Sequence, residues 1–292
     1  MAVPVNLTVS MHEQAVPRAQ TYCALTVLAL QWNARIQWFD VTAIVKFCWL
    51  HNTMTPANQQ EVDRYWAVEM ATGLDVTPNA GEVICTAQRL YSGVQLFQRN
   101  RLLIIAAPPH LVDFIATEIR DLPIRNIFSV EFVERLLISR TEKILGPAHV
   151  SYADKSTFRS ASLTSCRLLT AADAALFQSF TAALIPAELE QSGFDAEETP
   201  AFGAFAAGFL CAVAGYRIWE PRIAHITVAT HPDFRRRGHG QVAVSALAED
   251  AFSRNLILQY RALASNENSL KLGRSLGFQP YCSTIYARLL TS

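Results

Sequence analysis

Two different hydrophobic periods run along this chain, and the changes from one to the other mark its elements. In the first half, Leu25, Leu28, Trp32, Ile36, Phe39, Ala43 and Phe47 recur at helical spacing within Tyr22–Leu50. An amphipathic helix is predicted over Glu61–Ala71, stopping near Gly73. Short β-type runs follow at Glu82–Arg89, Val94–Phe97 and Leu102–Ala106, separated by polar turns, which reads as a meander that Pro108-Pro109 ends. Helical periodicity returns over Leu111–Asp121 and Val130–Ser139, and the polar, Ser-rich stretch Gly146–Ser162 has the character of a linker. The second half predicts a strand at Ser165–Leu169 and a helix capped by Thr170 and Asp173 that runs to about Leu184, then a helical piece over Pro186–Gly193. Beyond it come strands at Ile223–Thr230, Leu256–Ala262 and Ser283–Leu289, with helices at Gly238–Asn255 and Glu267–Leu276 between them.

The stretch Thr199–Tyr216 carries no charge and approaches the length of a membrane-spanning helix. Gly203, Gly208 and Gly215 interrupt it, and Ala207-Gly208 reads as a tight turn, so two adjacent buried strands are expected instead.

Composition narrows the classes. The 292 residues are 51% hydrophobic and only 17% charged, which excludes disorder, a coiled coil and a charged tail protein. At about 150 residues per domain, two domains are expected. Lys plus Arg and Asp plus Glu are both 25, so no long-range field draws in nucleic acid or an anionic membrane, and any anion site has to be local. The six cysteines are widely spaced, with no C-x-x-C pair and no zinc-like spacing. Reduced thiols, no metal and a cytoplasmic location are therefore expected, and Glu13 and Arg18 upstream of the apolar Cys23–Leu30 argue against an export signal.

The chemistry concentrates in Val228-Ala-Thr-His-Pro-Asp-Phe-Arg-Arg-Arg-Gly-His-Gly240, where a strand ends, Arg235, Arg236 and Arg237 crowd a turn, and Gly238 and Gly240 open a helix. Glycines let backbone N–H groups approach an anion, the helix N-terminus adds positive potential, and the arginines neutralise further charge, which makes a phosphate cradle. The plainer reading of the same residues is a turn beside a solvated basic face.

The order strand, R-x-x-G-x-G loop, helix, strand, then Asn266-Glu-Asn-Ser269 and Leu276-Gly277-Phe278, resembles the GNAT superfamily of acyl-CoA-dependent N-acetyltransferases from about Ser165 to the C-terminus. The resemblance implies that Arg235, Arg236, Arg237, Gly238, His239 and Gly240 hold the pyrophosphate of coenzyme A, and that Asn266, with Ser269 nearby, meets the pantetheine arm. It further implies that the strand before the loop splays from its neighbour, so that the backbone of Val228, Ala229 and Thr230 binds pantetheine and polarises the thioester carbonyl. Simple alternation of Val228 and Thr230 within an ordinary sheet fits the sequence equally.

Where relatives carry a tyrosine general acid, this chain has Gly273. Tyr281, Tyr286 and Tyr260 are the candidate substitutes, and each also fits as a packed aromatic. In the region where relatives place a glutamate base stand Glu220, His225 and Thr227. His225 is the first choice as base, with Glu220 to orient or replace it, and a histidine satisfied by hydrogen bonds inside the sheet is the equal alternative. His231 and His239 are expected to touch cofactor or solvent. Glu188, Glu190, Asp195, Glu197 and Glu198 suggest an acceptor site for a cationic amine, or else a solvated loop.

The expectation is thus an α/β (α+β) protein with two domains. Residues 1–150 form a smaller α+β domain acting as lid, interface or degenerate copy, and residues 163–292 form a GNAT-like mixed sheet flanked by helices. The expected activity is acetyl transfer from acetyl-CoA to the primary amine of a small molecule or peptide by direct attack, with His225, Glu220 and Tyr281 as catalytic residues. The alternatives are a CoA-binding regulatory module without turnover and an acyltransferase using a longer acyl-CoA. A homodimer fits the hydrophobic content; nucleic-acid and membrane partners are not expected.

Overall fold

The computed structural model describes residues 53–73, 81–162, 165–186, 188–189 and 200–290. The helix expected over Tyr22–Leu50 and the acids Glu190, Asp195, Glu197 and Glu198 lie outside them.

The first described helix, α1 (Pro56–Glu69), starts earlier than its apolar pattern suggests, because Thr55 accepts a hydrogen bond from the Asn58 N–H and Pro56 occupies the first turn, where a missing N–H costs nothing. Strands β1 (Val83–Ala87), β2 (Gly93–Arg99) and β3 (Leu102–Ala107) follow, then α2 (Pro109–Ile119), α3 (Ile124–Ile127) and α4 (Val130–Leu136). Next come β4 (Thr141–Ala153), β5 (Cys166–Leu168), α5 (Ala174–Ala182), β6 (Ala201–Ala206), β7 (Phe209–Glu220) and β8 (Ile223–Thr230). The chain closes with α6 (His239–Ser253), β9 (Ile257–Leu263), α7 (Glu267–Ser275) and β10 (Gln279–Leu289).

Among the described residues, ten strands join one mixed sheet in the order β1-β3-β2-β10-β4-β9-β8-β7-β6-β5. Two expectations change here. β1 pairs in parallel with β3, Cys85 against Ile105, instead of beginning a meander, because β2 takes the other edge of β3. The stretch from Gly146, expected as a linker, continues a strand: β4 runs antiparallel to both β9 and β10, with Tyr152 against Gln259 and Cys282 against Val150. Gly146 and Pro147 fall at the register shift against β10 between Thr284 and Tyr286, and Ser156, Ser160 and Ser162 lie beyond the end of the strand. The last strand β10 sits between β2 and β4, so the two halves share a single sheet, and residues 52–292 form one compact unit. The uncharged segment is the expected hairpin of β6 and β7, turning through Ala207 and Gly208 at φ +47° and +83°.

Helices cover both faces. On one face α6 and α7 pack over Ala224, Ile226, Leu258 and Tyr260, while α2 to α4 cover Leu96, Ile105 and Ile285. On the other, α5 covers Val213 and Ala229, and α1 lies over Val150, Tyr152, Ile223 and Ile257. A buried polar chain fixes α1: Trp66 Nε1 donates to Tyr152 Oη at 2.8 Å, and Gln259 Nε2 donates to the same oxygen at 2.6 Å. Trp66 Nε1 and Gln259 Nε2 thereby find an acceptor, which avoids the ~1–3 kcal/mol cost of an orphaned polar group.

Candidate functional site: a cleft where two parallel strands part

Parallel pairing of β8 with β9 covers Ile223, Ala224 and His225 against Ile257, Leu258 and Gln259, and ends there. On its other side β8 stays paired with β7 as far as Thr230. The His231 N–H donates to the Cys211 carbonyl, so by antiparallel alternation Ala229 faces β7 with its backbone groups, and those of Val228 and Thr230 turn toward the vacated side. The Thr230 carbonyl accepts from Arg235 Nε at 3.3 Å, which leaves the backbone groups of Val228 and the Thr230 N–H facing the opening.

A cleft of about 540 Å³ occupies this opening. Its walls include Ile226 to Thr230, the turn residues Arg235, Arg236, Gly238, His239 and Gly240, and Asn266 and Ser269 at the start of α7. The volume suits a sizeable organic ligand. The turn is wound by Arg236 at φ +61° and Gly238 at φ +83°, and Gly238 caps α6 without a side chain, so the first-turn N–H groups of the helix have no side-chain acceptor. This is the form of an anion cradle, and a pyrophosphate fits the donors present. Asn266 Oδ1 accepts from the Ser269 N–H at 3.0 Å, capping α7 and leaving its amide NH2 as the donor available to a ligand.

The arginines divide their tasks. Arg235 pairs with Glu188 at 2.9 Å, which holds that carboxyl below its usual range. Glu188 is thereby engaged with the cradle, in place of the acceptor role expected of it. Arg237 lies over the Phe234 ring and is absent from the cleft wall. His231 accepts from the Asp233 N–H, and His239 lines the cleft edge-on to Phe234.

The three expected catalytic residues are not brought together. His225 is enclosed between Trp219, stacked at 4.0 Å, and Gln259, whose Oε1 is 3.0 Å from its Nδ1; it does not line the cleft. Burial, with a further push from the Arg261 charge, lowers its pKa to about 3, so the ring is neutral and a poor proton acceptor. That environment is the one of a satisfied sheet histidine. Between its ordinary value of 6.5 and 3 the unfolded chain holds a proton that the folded one does not, so this residue opposes folding as pH falls from about 6.5. We expect His225→Gln to lessen the acid loss of stability, by up to about 1.4 kcal/mol for each pH unit below that value, in urea titrations at pH 7 and pH 5. Glu220 ends β7 in a separate hollow with Tyr65 and Glu69. Tyr281 donates its hydroxyl to Asp63 at 2.7 Å beneath the Arg99 guanidinium, on β10 and outside the cleft.

Tyr260 is the aromatic hydroxyl that does line the cleft. Its Oη is 2.6 Å from Ser269 Oγ, and burial pushes its pKa up to about 12, keeping the phenol protonated. Gly273 is explained by the same side chain: a Cβ there would sit 3.2 Å from the Tyr260 ring. Gly273→Tyr, restoring the tyrosine of relatives, should therefore cost about 1–3 kcal/mol through overpacking, read as a lowered Tm, with no gain in turnover. Sequence reasoning missed Arg261, Lys271 and Ser275 in the wall, because a lone polar residue on a strand or helix carries no local signal of which way it faces. Among the described residues no group of side chains could hold a metal ion, and no helix is long and apolar enough to cross a membrane.

Residues 169–278 match the family described as Acetyltransferase (GNAT) family, so the resemblance expected of the C-terminal half holds. No curated protein matches the sequence. Among solved structures, a GNAT-family protein from Novosphingobium aromaticivorans is 22% identical, over 52% of this chain and 67% of that one, with a TM-score of 0.42. A GNAT-family acetyltransferase from Colwellia psychrerythraea is 14% identical, over 68% of this chain and 81% of its own, with a TM-score of 0.42. A GCN5-related N-acetyltransferase from Kribbella flavida is 12% identical, over 55% and 64%, with a TM-score of 0.37.

Proposed function

We propose that the domain matched at residues 169–278 binds acetyl-CoA in the cleft between β8 and β9 and transfers the acetyl group to a primary amine. The observation that carries this reading is the coincidence of parted strands with an uncapped helix start: a slot for an extended thiol arm leads from a cradle for its phosphates. In this reading the α6 N-terminus, Arg235 and Arg236 hold the pyrophosphate, and the Asn266 amide fixes the arm. The Val228 N–H polarises the thioester carbonyl, where a preformed donor is worth most as negative charge develops on oxygen.

The amine nitrogen attacks the carbonyl carbon and the carbonyl electron pair moves to oxygen. Collapse forms the amide and breaks the C–S bond. The nitrogen releases its proton to water. The departing thiolate takes one from Tyr260, which is protonated at every physiological pH and is restored through Ser269 and solvent. His225 serves as a packed element of the sheet under this reading. The described cysteines, Cys85, Cys166, Cys211 and Cys282, are all free, which is consistent with the proposed cytoplasmic setting.

The second reading, a CoA-binding module without turnover, draws on Gly273 in place of the tyrosine of relatives. Thiol release from acetyl-CoA in the presence and absence of added amines separates the two. Amine-dependent, saturable release supports the transferase, and tight acetyl-CoA binding without release supports the module.

A further inference from the structure

Among the described residues that line the cleft, the cations are Arg235, Arg236, Arg261 and Lys271, and the one carboxylate is Glu188. A carboxylate in the wall of an anion cradle works against the ligand, because its charge repels the phosphates that the donors attract. Glu188 is nonetheless placed on a cradle residue: its Oε1 lies 2.9 Å from Arg235 Nη2, and its Oε2 accepts from the Ile185 N–H at 3.4 Å. Arg235 has a separate anchor, since its Nε donates to the Thr230 carbonyl.

The backbone around Glu188 is seated independently of that pair. Leu184 is buried against Phe180, Val213 and Ala229, Leu189 packs on the same cluster, and the Glu188 and Leu189 N–H groups both donate to the Ile185 carbonyl. This stretch follows α5 on one face of the sheet, whereas Arg235 precedes α6, which covers the other. The ion pair joins them past the end of β8. Both side chains remain partly exposed, so the pair adds little to stability, and its larger effect is to neutralise the charge that Arg235 offers the cradle. A tethered carboxylate acts at high effective concentration, and linked phosphates overcome it by bringing several charges at once.

We propose that Glu188 is a built-in competitor for the cradle: its carboxylate holds Arg235 until the linked phosphates of the ligand take that guanidinium over, and the exchange releases the stretch after α5 from the turn before α6. The identity of the ligand rests on the CoA-binding reading of the cleft; the exchange at Arg235 requires only an anion with linked phosphates. The penalty falls on affinity, so removing the carboxylate tightens binding at a site where losing a polar side chain ordinarily weakens it.

The test is isothermal titration of CoA and of inorganic pyrophosphate into the full chain, Glu188→Gln, Arg235→Gln and the double variant, with thermal melts to show that each folds. Glu188→Gln should bind both ligands about fivefold more tightly than the parent. In the Arg235→Gln background the same substitution should change either affinity by less than about twofold, because without Arg235 the carboxylate is not held at the cradle. Unchanged or weaker CoA binding in Glu188→Gln overturns the competitor and leaves the CoA reading intact, and so does an equal gain with Arg235 already replaced. Tighter pyrophosphate binding in Glu188→Gln, with CoA bound by neither it nor the parent, upholds the exchange and removes the CoA reading. If neither ligand binds any of these proteins, both fall.

Discussion

Gly238→Val should lower the affinity for CoA by about a hundredfold or more while leaving the protein folded. The reason lies in the backbone. Gly238 sits at φ +83°, a conformation costly for any side chain and worst for a β-branched one, and from that conformation the first-turn N–H groups of α6 are presented. A Cβ at this position would meet little, the Gln241 Oε1 at 3.5 Å being the one close atom, so the penalty comes from torsion and not from crowding. The loop relieves it by turning, and the N–H groups lose their convergence on the anion. Gly238→Asn should keep most of the affinity, since asparagine enters the left-handed region readily. A Gly238→Asn variant as weak as Gly238→Val would mean that the added atoms themselves block the ligand. Equilibrium titration with CoA, beside urea denaturation of each variant, provides both readouts. Full CoA affinity in Gly238→Val would remove the loop from the binding site.

The second large effect concerns the departing thiol. Tyr260→Phe should lower kcat by about a hundredfold, the usual scale for a positioned proton donor, with CoA affinity within about twofold of the parent. The ring stays to pack against Phe278 and Gly273, so a merely structural loss is not expected. Ser269→Ala offers a graded comparison: it removes the 2.6 Å partner of Tyr260 but leaves the phenol, and kcat should fall less than in Tyr260→Phe. With its pKa near 12, Tyr260 should contribute no high-pH decline in turnover below about pH 10 in the parent enzyme. Unchanged kcat in Tyr260→Phe would assign protonation of the thiolate to water.

Much of the second half was legible because its signals are local. Thr170 and Asp173 do form the capping box, Ala207-Gly208 is the hairpin turn, and the R-x-x-G-x-G segment does end a strand and open a helix. Each depends on residues within one or two turns of each other, where side-chain type constrains φ, ψ and hydrogen bonding directly. What stayed hidden is pairing across long sequence separations. β4 reads as a linker because Gly146 and Pro147 within it and the serines just beyond it depress strand propensity, yet β9 and β10 on either side supply its hydrogen bonds. The placement of the last strand between β2 and β4 is likewise invisible to any local pattern.

The same limit explains the site. The cradle was readable, since glycines and arginines at fixed spacing carry their chemistry with them. The exchange between Gly273 and Tyr260 was not, because a strand residue fills the space a helix residue vacates and only the packing relates them. His225 shows the opposite failure. Its residue type and place on the strand suited a base, and its enclosure by Trp219 and Gln259 takes away the basicity that the role requires.

The most direct test of the central claim is isothermal titration of acetyl-CoA into the purified full-length chain, repeated with Gly238→Val. The account predicts saturable one-to-one binding in the micromolar range that is lost in the variant. Absence of binding in the parent protein, or equal binding in both, would contradict it.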